Sequence, residues 1–81
     1  MPEKTPVKTM SQSVYEELRR RILDGRLPAG EPIRERDLAA ELAVSRVPIR
    51  EALPWLELAG LVTVRPRSSA VVTVVTRRDV D

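Results

Sequence analysis

The apolar pattern of this chain changes period at Gly60, and that change limits the folds open to it. Before Gly60, apolar residues recur at helical spacing. After it they alternate and become β-branched, first in "LVTV" and then in "AVVTVV", with "RPRSS" between them. A chain of 81 residues can build one small core, so the helices and the strand pair must share it. The expectation is an α+β, mainly helical domain: three helices followed by a two-stranded antiparallel wing with a basic tip.

Turn signals divide the helical part. In "SQSVYEELRRRILDG", Ser13 with Glu16 has the spacing of a capping box, and Gly25 supplies a left-handed stop. Val14, Leu18 and Ile22, with Tyr15 alongside, form the buried face. The run Arg19, Arg20 and Arg21 points in several directions around a helix. Glu16 and Glu17 sit one turn earlier, so the run reads as a solvated, ion-paired face rather than a nucleic-acid surface. "RLPAGEPI" is an extended connector anchored by Leu27 and Ile33. "RERDLAAELA" is a short second helix with Leu38, Ala39 and Leu42 inward, and with Glu35 and Asp37 near its positive end. Ser45 is placed to cap a third helix.

The third helix carries two prolines. Ile49, Leu53 and Leu56 share one face with Ala52 beside them, so Arg46, Val47 and Arg50 project away from the core. Pro48 falls in the first turn, where its missing N–H costs little. Pro54 lies in the interior. It removes one hydrogen bond, opposes the carbonyl of Arg50, and costs ~3 kcal/mol. A kink near residues 50–54 is expected, and it either re-aims the helix or is a tolerated variation on an exposed face.

Composition narrows the function. The chain has neither Cys nor His, which removes the common thiol nucleophile, general base and metal ligands. Glu51 with Glu57, and Asp37 with Glu41, are carboxylate pairs on solvated faces without a nucleophile beside them, so no enzyme and no cofactor is expected. With no Phe and single Tyr and Trp residues, there is no stacking platform for single-stranded RNA. No apolar run suits a signal peptide or a membrane span, and a cytoplasmic location is expected. Net charge is only +2, yet twelve of the fourteen basic residues are arginine, the side chain suited to forked bonds with phosphate and guanine.

Two short helices joined by a tight turn, the second opening Ser-Arg-x-Pro-x-Arg, have the helix-turn-helix form. The amino end of the second enters the major groove. There Arg46 can fork onto guanine, Val47 and the Pro48 ring can meet a thymine methyl, and Arg50 can reach a phosphate or a second base. Arg65 and Arg67 on the wing can hold the backbone or enter the minor groove.

The segment "VYEELRRRILDGRLPAGEPIRERDLAAELAVSRVPIREAL" resembles the N-terminal DNA-binding domain of the GntR family of bacterial transcription regulators. It looks most like the FadR-type subfamily, whose members often read "SRTPVREAL" where this chain has "SRVPIREAL". The resemblance runs from about Val14 to Val72. It implies DNA contacts from Arg36, which opens the second helix, from Ser45, Arg46, Val47 and Arg50, and from the wing residues Arg65, Arg67, Ser68 and Ser69. It further implies a metabolite-responsive regulator, a repressor, on double-stranded DNA with a short palindromic operator bounded by GT…AC. Departures from the family pattern are Val47 for a polar residue, Ser69 for a glycine, Val71 for a basic residue, and Pro54. Residues 1–10 are expected to be a disordered arm, with Lys4 and Lys8 able at most to touch phosphate. Residues 11–75 are the DNA-binding domain, and 76–81 start a linker to an absent C-terminal effector domain. That domain would bind a small molecule and form the homodimer, leaving this piece monomeric alone. The alternative reading is a winged helix used for protein–protein contacts, which Val47 and Leu58 favour as surface apolar groups.

Overall fold

Thr9 opens the first helix. Its hydroxyl accepts from the Gln12 amide at 3.1 Å, and the Gln12 side chain accepts from the Thr9 amide at 2.8 Å, closing a capping box. Helix α1 therefore runs Met10–Leu23. The Ser13–Glu16 pattern lies inside it, and Met10 joins the helix rather than the arm. The earlier start has a reason in packing: it buries Ser11, whose hydroxyl donates to Glu51 of the third helix. The computed structural model describes residues 8–66 and 70–74. Most of the expected arm, and the expected linker at 76–81, lie outside the described residues.

At its far end α1 stops at Gly25, which has φ +88°. The Gly25 amide donates to the Ile22 carbonyl, and the Leu27 amide to that of Arg21. The arginine run follows its spacing in part: Glu17 takes two of the arginines, but Glu16 pairs with Lys8, and the Arg21 side chain is mostly covered. Arg20 and Arg21 both bond Glu17, Arg21 also reaches Glu41 at 3.1 Å, and Arg19 is exposed. The hydrogen bond from Arg21 holds the Glu17 carboxyl below its ordinary pKa.

Helix α2 spans Glu35–Leu42 and buries Leu38 and Ala39, with Leu42 partly covered. Its exit is made by an alanine. Ala43 takes φ +59° and ψ +44°, while its amide donates to Ala40 and that of Val44 donates to Ala39. This is the Schellman arrangement with a Cβ where glycine is usual. Helix α3, Arg46–Leu58, follows at once. It buries Ile49, Ala52, Leu53 and Leu56 and packs against both other helices and the wing. Pro54 is exposed on the opposite face, and α3 continues past it to Leu58 as one helix.

The wing pairs β1 (Val62–Thr63) with β2 (Val71–Val72), antiparallel, Val62 opposite Val72. Both strands are shorter than the sequence pattern suggests. The connector before α2 supplies what they lack. Gly30 donates to the Val72 carbonyl (2.9 Å), Val72 to Glu31 (2.9 Å) and Ile33 to Ala70 (2.8 Å), with Pro32 bridging to Val71. So β2 is flanked on both sides. Pro32 sits at an outer edge, where a missing donor is harmless.

The largest fully buried side chains are Leu18, Ile33, Ile49, Leu56 and Val72. They come from α1, the connector, α3 and β2, and the same buried cluster takes in Leu38 and Ala39 of α2 and Val62 of β1, so one core joins every element. Each is worth roughly 1.5–3 kcal/mol of burial, which holds α3 together across Pro54.

Two stability changes follow from these backbone positions. Pro54→Arg restores the missing hydrogen bond and removes the clash, so the melting temperature should rise, reflecting a gain of ~1–3 kcal/mol. A lower melting temperature by circular dichroism would contradict the strain at this residue. Ala43→Gly relieves a left-handed Cβ at some cost in unfolded-state entropy, for a net gain of about 0.5–1 kcal/mol. Thermal melts of that variant should show a smaller upward shift, and a downward shift would refute the strain assigned to Ala43.

Candidate nucleic-acid interface

The α2–α3 corner decides which side chains reach outward. Because Ile49, Ala52, Leu53 and Leu56 are pulled into the core, the opposite stripe of α3 must face away. Arg46, Val47, Arg50 and Pro54 lie on it at helical spacing, and all are exposed. Val47 is 60% exposed. Ser45 is the N-cap residue as expected, but its hydroxyl makes no capping bond. No acidic residue occupies the first turn of α3. The helix therefore presents uncapped amides, an unopposed positive dipole end and an arginine together, which suits a phosphate or a base edge.

Pro48, expected to be exposed, is buried instead, and it lines a shallow cleft with Met10, Ser11 and Val47. It cannot be the apolar surface for a thymine methyl; its contribution is to rigidify the first turn. Val47 is the exposed apolar residue of that first turn.

Arg50 is not idle. Its Nε donates to Oε1 of Glu35 at 3.0 Å, tying the middle of α3 to the first turn of α2. Arg36, the next residue along α2, is exposed. Among the described residues Arg46 forms no ion pair. On the wing, Arg65 is exposed as the chain leaves β1. Arg67, Ser68 and Ser69, also expected at the tip, lie outside the described residues.

Two features of the surface have no signature in the sequence. One is the Glu35–Arg50 pair, whose members are too far apart in the chain for any spacing rule. The other is the bracing of α1 against α3. Ser11 bonds Glu51, and one turn further Tyr15 meets Trp55 edge-on, ring centroids 6.1 Å apart at 82°. The polar half of this brace turns on the earlier start of α1, which the competing Ser13–Glu16 pattern hid. A shallow cleft between Met10 of α1 and Val47 of α3 lies beside the exposed stripe.

Three helices whose last two form a tight corner, followed by a strand pair, define a winged helix-turn-helix domain. Residues 10–72 match the family model described as bacterial regulatory proteins, gntR family. The chain belongs to that family. It is 42% identical over 67 residues to YdhC, an HTH-type transcriptional regulator of Bacillus subtilis, covering 83% of this chain and 30% of that protein. It is 40% identical over 57 residues to a probable D-xylose utilization operon transcriptional repressor of Paenarthrobacter nicotinovorans, covering 70% and 25%. The crystal structure of a GntR family member from Pseudomonas syringae pv. tomato superposes with a TM-score of 0.74 at 39% identity, covering 93% of this chain and 32% of that one. The chain thus spans between a quarter and a third of these relatives. No helix among the described residues is long and apolar enough to cross a membrane.

Proposed function

We propose that this domain is the operator-reading part of a metabolite-responsive regulator of the FadR type, acting as a repressor through a dimer on a palindromic site. What supports this most is the exposed stripe Arg46–Val47–Arg50 at an uncapped, unopposed helix N-terminus. In this reading α3 enters the major groove. Arg46 forks onto guanine O6 and N7, Val47 meets a thymine methyl, and Arg50 takes a second base or a phosphate. Arg36 and the Ser45 hydroxyl with its following amides hold one strand, while Arg65 and the wing tip hold the neighbouring backbone. Effector binding and dimer formation belong to the part of the regulator that the relatives have beyond the matched segment. A single domain would bind weakly, because a second half-site adds affinity only when both are linked.

The experiment is a fluorescence-anisotropy titration against a duplex carrying a GT…AC palindrome and a scrambled duplex of equal composition, at two salt concentrations. Tighter binding to the palindrome is expected. With roughly four to six phosphate contacts, the log–log salt slope should be about −4 to −5. Arg46→Ala should cost about 1–3 kcal/mol and relax discrimination at one base pair. Wild-type affinity and selectivity in that variant would remove Arg46 from the reading role. No binding to either duplex at low salt would favour a protein-contact surface instead.

A further inference from the structure

We infer that Glu35 is a positioning residue that fixes which edge of the Arg50 guanidinium is offered to DNA; this deepens the operator-reading role proposed above. Arginine carries one donor on Nε and four on the two terminal nitrogens. It can therefore fork side-on, through Nε and one terminal nitrogen, or end-on, through both terminal nitrogens. Glu35 Oε1 already holds the Nε–H at 3.0 Å. The side-on fork is thereby used up and the end-on fork points outward, matched to guanine O6 and N7.

Burial shows that the pair is built for this. The Glu35 side chain is 24% exposed and that of Arg50 62%, so the carboxylate is a fixed base and the guanidinium a free head. Glu35 sits in the first turn of α2, where the helix dipole steadies its charge. An ion pair this open to water adds little to folding. Its effect lies in restricting a long side chain before docking, so that less rotamer freedom is lost on contact. Arg34, Arg36 and Asp37 flank Glu35 on its own element and Glu51 flanks Arg50, yet neither residue of the pair bonds any of them among the described residues.

The test uses the 81-residue chain and the tightest duplex it enriches from a random-sequence pool, compared with a scramble. Glu35→Ala should lower the ratio of specific to scrambled affinity about tenfold, the loss of part of one forked contact. Glu35→Gln keeps an acceptor oxygen and should retain most of the ratio. In an Arg50→Ala background, Glu35→Ala should have no further effect on the ratio. In the free protein, the Arg50 Nε–H resonance should exchange faster with water in Glu35→Ala than in the wild type. Should Glu35→Ala melt below the assay temperature, Glu35→Ser, better tolerated at a helix start, makes the same chemical deletion.

Loss of a negative charge near DNA gives a different outcome. Both Glu35 variants would then bind every duplex more tightly with the ratio unchanged, and the positioning role would be overturned. A Glu35→Ala effect that persists without Arg50 would also overturn it. If the wild type enriches no duplex at all, the DNA-reading role itself falls and takes this one with it. If the wild type discriminates and Glu35→Ala discriminates equally, only the role of Glu35 falls.

Discussion

The position of α3 depends on the apolar residues buried along one face of it. Ile49 and Leu56 are fully covered, and α3 packs against α1, α2 and the first strand of the wing. Only with those two side chains fixed does the opposite stripe acquire a direction. The exposed residues of that stripe are thus aimed by residues buried beneath them. A helix held only by its own hydrogen bonds could not do this with Pro54 in it, because thirteen residues with an interior proline are marginal in isolation.

Much of the domain is legible in the sequence because its signals are local and strong. The inward residues of α2 and α3 follow from helical spacing. Gly25 follows from the need for positive φ, and the ion-paired arginines of α1 follow from glutamates one turn away. The outward stripe of α3 is the complement of its apolar face, so the exposed arginines of the site come with the core. The rest was hidden by competition or by distance. Two capping patterns overlap at the start of α1, and Thr9 with Gln12 prevails because that start also buries Ser11 and meets Glu51. Pro48 has the spacing of a boundary residue, and only the packed helix decides that it is buried. Ser45 stands at the cap position, but sequence cannot say whether its hydroxyl closes on the helix or stays available. The Glu35–Arg50 pair joins two elements whose relative placement no pattern encodes.

The connector shows how little material can complete a sheet. Four positions, Gly30 to Ile33, lend backbone groups to β2 without forming a strand of their own beyond a single bridge at Pro32. In doing so they satisfy the outer side of a strand that would otherwise be an open edge. The wing is in effect rooted in the helical layer, since Ile33 is also one of the five largest fully buried side chains.

That root has a consequence for how the chain reaches its folded state. The corner between α2 and α3 closes over a few residues, whereas the wing's root requires residue 33 to meet residue 70. Closing a loop of that length costs on the order of 3 kcal/mol of chain entropy before its hydrogen bonds form. The helical corner, with short-range contacts, has the kinetic advantage. That difference in range favours a wing that is added to helices already packed, so the last contacts to form are those between the connector and β2.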